Sequence, residues 1–352
     1  MKNDIKLIRY ITLRYADPIC AMDLSDKYLL YGTMLGTSAC YLINQKRLIT
    51  LSETQDENVS GVKIQEINND IRLLVCIGDN KIYNFNSISE NINEIPKYEE
   101  INNYLNEQEH IKKCEKCFTM LKNNYLVRTF IEFPSEVKTP YNQYETEYSI
   151  KNLNYINSKD NEREGKILMS NYTVPFDFDG NKYVFIDFIE EKKRFFEIFD
   201  VDSKNYILNI ELEKYKEKIG HISLLQLLKN NNMFLVRDYH ICEIRNLNFD
   251  LIKNFNLIGE EILAFDILYK DENDVENFII YVLDIKCNII RYNNKNNKSE
   301  HVINLNELDI DQVIKDQKYF SMGYPYYIKV SPNYIAISSD YGCILLQYNN
   351  LI

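Results

Sequence analysis

Three residues about a third of the way along the chain have types and a spacing that suit a metal ion. Cys114 and Cys117 are separated by two residues, as in tetrahedral zinc sites, and His110 lies four residues before Cys114. Closing such a site needs a fourth ligand, and the sequence offers no second Cys-x-x-Cys and no His pair to supply it. The sequence therefore predicts no bound metal, although it leaves open whether these three residues bind one.

Two pairs of aspartates could suit calcium, which prefers carboxylate oxygens: Asp177 with Asp179, and Asp200 with Asp202. The run from Asp177 to Gly180 lacks the trailing Glu of a calcium loop, however, and it lies between two predicted strands. Aspartate is frequent in turns because its side chain accepts hydrogen bonds from nearby backbone N–H groups. We therefore expect these residues to form turns.

Motifs of catalysis and of nucleotide binding are missing from the sequence. Four histidines are scattered along the chain, at positions 110, 221, 240 and 301, and there is no Gly-x-Ser-x-Gly nucleophile motif. Neither the phosphate-binding loop Gly-x-x-x-x-Gly-Lys-Ser/Thr nor the dinucleotide motif Gly-x-Gly-x-x-Gly occurs. We expect a protein that is not an enzyme, with no catalytic residue, no metal and no cofactor.

Composition narrows the classes of partner. The net charge of −11 and the absence of a long basic run disfavour binding to nucleic acid or to anionic lipid. No apolar stretch is long enough for a membrane helix, and the first residues lack a secretory signal, so we expect a cytoplasmic protein with reduced thiols. Six isolated cysteines beside apolar strands should be small core residues: Cys20, Cys40, Cys76, Cys242, Cys287 and Cys343.

The elements that must position these residues are short strands in a repeating pattern. Runs of five to seven β-branched and aromatic residues alternate with turns rich in Asn, Asp, Gly and Lys, which is typical of β-strands. Residues 19–51 form the first set of four strands, with a turn at Leu35-Gly36. Six repeats separate Gly36 from Gly342, at about 51 residues each, a period typical of β-propeller blades.

The middle repeats are less regular. We expect a third repeat from Cys117 to Ile150 and a fourth that begins at Ile167. The run 222–228 could be a helix, but it occupies the position of a first strand and is predicted as one. A short helix is possible between Glu99 and Cys117. Seven blades are expected, and six would follow if the third repeat were an insertion.

The last repeat carries the most specific pattern. It contains Ser331-Pro-Asn333, an apolar strand at 334–337, then Ser338-Ser-Asp-Tyr-Gly342 and a second apolar strand that ends at Tyr348. This pattern resembles a blade of the WD40 family, although Gln347-Tyr348 replaces the family's Trp-Asp pair. The resemblance implies that residues 1–352 form one all-β, seven-bladed propeller domain. It also implies that the chain ends share a blade, so we predict that residues 5–13 pair with 344–348.

A group of aromatic residues leads into that last blade: Phe320, Tyr324, Tyr326 and Tyr327. In proteins similar to the WD40 family, partners dock on the face where such connections lie, and Tyr is frequent in binding hot spots. Arg237, at the end of a predicted strand, could line the same rim. These five residues are the predicted partner-binding residues.

The resemblance implies a non-catalytic scaffold that binds other proteins as a subunit of a larger intracellular hetero-complex. Ciliary, cytoskeletal and trafficking machinery are the settings associated with such propellers. The alternative is a hydrolase-like propeller enzyme with an active site at the mouth of the central channel. Clustered carboxylates, histidines or a metal at that mouth would favour the enzyme.

Overall fold

We describe the fold from a computed structural model. It describes residues 5–12, 17–53, 57–67, 70–78, 81–86, 98–100, 116–122, 124–131, 143–155, 162–170, 172–190, 193–217, 219–255, 260–271, 273–308, 327–339 and 342–348. Within these ranges the strands form seven antiparallel sheets of four strands each. The fold is a seven-bladed β-propeller, as predicted, and we number the blades in chain order.

Contacts divide the chain into two compact units, the first of which comprises Met1–Gly78, Ile82–Glu100 and Leu257–Ile352. It holds blades 1, 2, 6 and 7. The strands of blade 1 are β2 (Ile19–Leu24), β3 (Tyr28–Thr33), β4 (Thr37–Leu42) and β5 (Arg47–Glu53), and those of blade 2 are β6 (Val59–Ile67), β7 (Asp70–Ile77), β8 (Lys81–Asn86) and β9 (Tyr98–Glu100). The strands of blade 6 are β22 (Ile262–Tyr269), β23 (Phe278–Asp284), β24 (Asn288–Asn293) and β25 (Lys298–Asn304), and those of blade 7 are β1 (Ile5–Thr12), β26 (Tyr327–Val330), β27 (Tyr334–Ser339) and β28 (Gly342–Tyr348).

The second unit comprises Asp79–Lys81 and Ile101–Asn256, and it holds blades 3, 4 and 5. The strands of blade 3 are β10 (Lys116–Lys122), β11 (Tyr125–Ile131), β12 (Gln143–Asn152) and β13 (Glu162–Ser170). Those of blade 4 are β14 (Val174–Phe178), β15 (Lys182–Glu190), β16 (Lys193–Asp200) and β17 (Asn205–Glu211), and those of blade 5 are β18 (Ile222–Leu227), β19 (Asn232–Arg237), β20 (Ile241–Asn246) and β21 (Leu251–Phe255). Among the described residues, short 3₁₀ turns lie between β12 and β13 at Leu153–Tyr155, after β17 at Leu212–Lys214 and, in the first unit, after β25 at Leu305–Glu307.

The two ends of the described chain share blade 7, which confirms the predicted pairing. Strand β1 is antiparallel to β28, with Ile5 opposite Tyr348 and Tyr10 opposite Ile344. The order β1-β28-β27-β26 makes β1 an edge strand of this sheet. Strand β28 is thereby paired on both sides, so its backbone N–H and C=O groups are not left at an open edge.

The burial of each strand follows its place in the sheet. All seven residues of β23, a central strand of blade 6, are buried, because both of its faces pack against other residues. Strand β17, at the edge of blade 4, alternates between exposed and half-buried residues over most of its length. The predicted core cysteines are confirmed, since five of the six are buried and Cys20 is half-buried.

In the first unit, an aspartate at the fifth residue of a blade's first strand links that blade to the next one, in blade 1 and again in blade 6. In blade 1, Asp23 accepts a hydrogen bond from the Ile64 backbone N–H of blade 2 at 2.8 Å and pairs with Lys63 at 3.0 Å. In blade 6, Asp266 accepts one from the Val330 N–H of blade 7 at 2.8 Å and pairs with Lys329 at 3.1 Å. Each first strand thus satisfies a backbone N–H of the next blade.

The second unit contains a related link. Asp177 of blade 4 is fully buried and accepts a hydrogen bond from the Leu227 backbone N–H of blade 5 at 2.6 Å. The ammonium group of Lys122, from blade 3, lies 3.4 Å from the other oxygen of the same carboxylate. One aspartate therefore contacts both neighbouring blades, which explains why this charge is tolerated in the core.

The boundary between the third and fourth blades differs from the prediction. Ile167 does not begin the fourth blade, because it lies in β13, the fourth strand of blade 3. The first strand of blade 4 is β14, which contains Pro175. A proline is tolerated there because β14 is an edge strand with one unpaired side.

Other predictions about individual segments have mixed outcomes. The run 222–228 forms strand β18, as predicted. Blade 3 is a complete sheet, so the six-blade alternative is wrong. The possible helix between Glu99 and Cys117 falls mainly on residues outside the described ranges.

Candidate functional site

The first strand of a blade begins at the same end of the sheet as the turn between its second and third strands, which we call the front end. In blade 5, the Asp238 backbone N–H donates to the His221 carbonyl at 2.7 Å. The equivalent bond in blade 6 joins the Ile285 N–H to the Glu261 carbonyl at 2.8 Å. These bonds fix the front turn against the segment that leads into the blade.

The front turn of blade 5 has an uncommon backbone conformation. Asp238 and Tyr239 have φ values of 49° and 62°, and the His240 N–H donates to the Arg237 carbonyl at 3.0 Å. Two consecutive positive φ values are typical of a type I′ turn, in which Asn-Gly is preferred. Each such residue with a side chain costs about 1–2 kcal/mol, so the surrounding contacts must hold this turn.

Those contacts centre on the Asp238 carboxylate. Its Oδ1 atom accepts a hydrogen bond from the His221 backbone N–H at 2.7 Å. Gly220 leaves the room for this approach, because a Cβ atom at that position would overlap the carboxylate. Asp238 and His221 therefore bond to each other through two different atom pairs, and the turn is pinned at its first residue.

Arg237 forms the base of the turn, where it belongs to a buried charge network. Its guanidinium donates from Nε and Nη2 to the two oxygens of Glu243, at 3.1 and 2.8 Å. Arg245 donates to the same carboxylate at 2.8 Å and also pairs with Glu217 at 2.6 Å. Burial would raise the pKa of Glu243, but the hydrogen bonds from Arg237 and Arg245 outweigh it and hold that pKa below its usual value.

The result is a rigid base that presents an aromatic ring to solvent. The Tyr239 side chain is 43% exposed, and its ring centroid lies 5.7 Å from that of the His221 imidazole. A tyrosine held in one conformation supplies apolar area and a hydroxyl with little loss of side-chain entropy on binding. We call Tyr239, His221 and the turn that holds them the blade 5 tip. Its chemistry suits contact with another protein.

The first unit has an exposed apolar turn at the front end of blade 1. Met34 and Leu35 are 54% and 49% exposed. The buried Asp17 carboxylate accepts a hydrogen bond from the Leu35 backbone N–H at 2.7 Å, and Gly36 follows with a φ of 85°. The predicted Leu35-Gly36 turn is therefore confirmed, and a buried side chain fixes its shape.

The structure describes two of the five predicted partner-binding residues. Arg237 lies at the base of the blade 5 tip with its guanidinium already paired to Glu243. Tyr327 begins β26 and is half-buried against the core shared by blades 7 and 1, and burial raises its pKa. Phe320, Tyr324 and Tyr326 lie outside the described residues.

Of the three candidate metal ligands, the structure describes only the backbone of Cys117. His110 and Cys114 lie outside the described residues, and Cys117 lies in β10 with a side chain that is not described. Within the described part of the chain, no three His, Cys, Asp or Glu side chains are grouped as a metal site would require. In the same ranges, no helix is long and apolar enough to cross a membrane.

The aspartates that could have suited calcium accept hydrogen bonds from the protein itself. Asp179 accepts from the backbone N–H groups of Asn181 and Lys182, at 2.8 and 2.7 Å. Asp200 accepts from the Ser203 N–H at 2.7 Å, which lowers its pKa. The turn prediction is confirmed for these two residues. Asp177, in contrast, is a strand residue that links blades.

Described cysteines near the strands are poor nucleophiles. Burial raises the pKa of Cys20 to about 11 and that of Cys343 to about 12, so both remain thiols at neutral pH. The pKa values of Cys40 and Cys242 are also raised by burial.

Sequence reasoning missed the Tyr239 ring. The segment Asp238-Tyr-His240 lacks the Asn-Gly or Asp-Gly pair that marks a type I′ turn. The sequence nevertheless contains one usable signal. Only three residues, 238–240, separate two apolar strands, and such a short connection places Tyr239 at the tip of a hairpin.

No protein-family model matches the sequence, and no curated protein sequence matches it. Solved structures share its fold. Raptor from Chaetomium thermophilum is similar over 99% of this chain and 29% of that chain, with a TM-score of 0.58 and 8% identity. A chain in the mitotic checkpoint complex is similar over 97% of this chain and 93% of that chain, with a TM-score of 0.54 and 8% identity.

The computationally designed Ika8 protein is similar over 97% of this chain and 99% of that chain, with a TM-score of 0.52 and 10% identity. These structures match the seven-bladed β-propeller described above. At these identities the likeness shows the fold alone. This chain also spans less than a third of the length of the Raptor chain.

Proposed function

We propose that residues 1–352 form a single WD40-like propeller domain that acts as a non-catalytic scaffold within a protein complex. The fold supports this proposal, because a sheet-rich frame can hold several turns in fixed positions for binding. One of the chains with a similar fold is part of the mitotic checkpoint complex. The net charge of −11 makes protein a better partner than nucleic acid.

The observation that carries the proposal is the blade 5 tip. Residues held in sparsely populated backbone conformations persist when their surroundings over-determine them, and they are concentrated at functional sites. Here the two strained residues are Asp238 and Tyr239. They are held by His221, by the space at Gly220 and by the Arg237 ion pair, and the Tyr239 ring is exposed as a result. Tyr is among the residues that dominate binding energy at protein interfaces.

Affinity purification of the tagged protein from its own cells, followed by quantitative mass spectrometry, tests this proposal. The variant Tyr239→Ser removes the exposed ring, and Ile252→Ser is the matched control. Ile252 is 53% exposed in strand β21 of the same blade, away from the tip. A hot-spot tyrosine contributes at least about 2 kcal/mol, so we expect a partner to be depleted about 30-fold with Tyr239→Ser and retained with Ile252→Ser.

Recovery of no stable partner with the unaltered protein would contradict the scaffold proposal. Equal recovery with both variants would place the binding surface elsewhere and contradict the role of the tip.

The predicted Phe320, Tyr324, Tyr326, Tyr327 and Arg237 remain part of this proposal as a second binding region. Their contribution is tested by the same purification with Tyr324→Ser and Tyr326→Ser together, and we expect partial loss of a partner. Tyr327 and Arg237 are less suitable for substitution because both have structural contacts.

The non-catalytic character and the location are also proposals. A panel of ester, phosphoester, peptide and glycoside substrates should show no turnover by the purified protein, and turnover of any one of them would favour the propeller-hydrolase alternative. A fluorescent fusion should lie in the cytoplasm, including cytoskeletal or ciliary structures if its complex is there. A fusion confined to the nucleus or to a membrane compartment would contradict that location.

A further inference from the structure

A cleft of about 130 Å³ opens on one face of blade 6, at the end opposite to the front end. It is lined by Lys270, Ile279, Arg291, Asn293, Asn296, Lys298 and Glu300. The register places Ile279, Asn293 and Lys298 side by side on strands β23, β24 and β25. Three of these residues are cationic and one is anionic, which is unusual for a chain with a net charge of −11.

The two lysines of the cleft have no acidic partner among the residues that the structure describes. Among the described residues, neither Lys270 nor Lys298 forms an ion pair, although other lysines of the same blade do. Lys286 pairs with Glu260, and Lys295 pairs with Asp274 at 3.5 Å. The ammonium groups of Lys270 and Lys298, which have no described partner, are therefore placed to bind an anion.

The two asparagines are oriented as donors by the turn between β24 and β25. The Asn293 side-chain oxygen accepts hydrogen bonds from the backbone N–H groups of Lys295 and Asn296, at 3.0 and 3.4 Å. The Asn296 side-chain oxygen accepts one from the Lys298 N–H at 3.1 Å. Because both oxygens face the backbone, both NH₂ groups remain to donate to a ligand.

The one carboxylate of the cleft is already paired. Arg291 donates from Nε and Nη2 to the same oxygen of Glu300, at 2.9 and 2.6 Å. The Arg291 guanidinium also lies 5.6 Å from the centre of the Tyr348 ring in blade 7, which fixes its orientation. The repulsion between Glu300 and an incoming anion is reduced by this pairing.

We propose that the cleft binds a phosphate-type dianion. Two unpaired ammonium groups match a charge of about −2, and two amide donors match the several acceptor oxygens of a phosphate. A cation would be repelled by the lysines, and an apolar ligand would find only Ile279 to contact. The cleft shares no residue with the blade 5 tip. A test of phosphate binding can therefore fail without contradicting the proposed scaffold function, and the reverse also holds.

Isothermal titration calorimetry of the full chain with inorganic phosphate and with O-phosphoserine tests the proposal. Chloride is added to keep the ionic strength constant, since exposed charges are screened by salt. We expect a Kd on the order of 1 mM, and about tenfold or greater weakening with Lys270→Gln and Lys298→Gln together. O-Phosphoserine binding more tightly than phosphate would identify a phosphorylated side chain as the source, whereas equal binding would identify the free anion.

The matched control is Lys286→Gln with Lys295→Gln, which changes the charge of the same blade by the same amount outside the cleft. This control should bind phosphate as the unaltered protein does. Circular dichroism checks that both double variants are folded. The proposal is overturned if the unaltered protein releases no heat with about 20 mM phosphate, or if the two double variants bind equally well.

Discussion

Glu197, in strand β16 of blade 4, is a buried acid with no cation beside it in the part of the chain that the structure describes. Its side chain is fully buried, and its Oε1 atom accepts a hydrogen bond from Asn209 at 2.6 Å. Its Oε2 atom has no hydrogen-bond partner among the described residues. The Asp187 carboxylate, which accepts hydrogen bonds from Ser170 and Thr173, adds a second buried negative charge. We predict that Glu197→Gln removes a pH dependence of stability.

The size of the effect follows from the pKa. Burial, and then the charge of Asp187, raise the pKa of Glu197 from 4.5 to about 8, although the Asn209 hydrogen bond opposes the shift. The folded protein therefore keeps a proton that the unfolded chain loses above about pH 4.5. This contribution is fully favourable at low pH and is lost as the pH rises towards 8, at about 1.4 kcal/mol per pH unit. Between pH 5.5 and 7.5 the loss is about 2–3 kcal/mol.

Urea denaturation followed by circular dichroism at pH 5.5, 6.5 and 7.5 measures this loss. We expect the unfolding free energy of the unaltered protein to fall over this range and that of Glu197→Gln to fall less, by about 2–3 kcal/mol. Glu66→Gln, at an exposed position of blade 2, is the control and should behave as the unaltered protein does. Parallel pH profiles for the unaltered protein and Glu197→Gln would refute the reasoning.

Three further substitutions or deletions test the contacts that hold the blades and the blade 5 tip in place. Asp266→Ala leaves the Val330 N–H without its acceptor and should lower the unfolding free energy by about 1–3 kcal/mol; an unchanged urea midpoint would contradict the link between blades. Gly220→Ala should cost about 1–3 kcal/mol, because the new Cβ overlaps the Asp238 carboxylate, whereas an unchanged melting temperature would show that the tip is not tightly held. Deletion of residues 1–12 removes β1 and should give aggregated protein in size-exclusion chromatography, since β28 then has an open edge; a monomeric product would contradict its role.

Much of the fold could be predicted from the sequence because each central strand must be apolar on both faces. The run at 278–283 is a continuous apolar segment for this reason and corresponds to β23, and the run at 183–189, interrupted by Asp187, corresponds to β15. The sharing of blade 7 could be predicted from counting strands, because the last repeat lacked one and the first residues supplied it. Both features depend on pattern and need no specific motif.

The start of blade 4 could not be predicted in the same way. Strand β14 contains Pro175 and Asp177, which are typical of turns, and its role as a strand depends on neighbours that are distant in sequence. Asp177 is stabilised there by Lys122 and by the Leu227 N–H, more than forty residues away on either side. Tertiary contacts of this kind override local propensity.

The candidate sites were the least predictable features. Tyr239 is exposed because Asp238 and Gly220 hold an unusual turn, and the sequence shows neither the positive φ values nor the close approach. The cleft of blade 6 depends on register, which brings Lys270 and Lys298 to one face although they are distant in sequence. Sequence reasoning identified Arg237 as a candidate binding residue, and its ion pair with Glu243 at the base of the turn could not be foreseen from the sequence.

The most direct test of the scaffold proposal is photo-crosslinking in the cells that produce the protein. A photoreactive benzoylphenylalanine replaces Tyr239 in one experiment and Ile252 in the other, and adducts are identified by mass spectrometry. Our account predicts a light-dependent adduct with a different protein at position 239 and none at position 252. No adduct at position 239, or the same adduct at both positions, would contradict it.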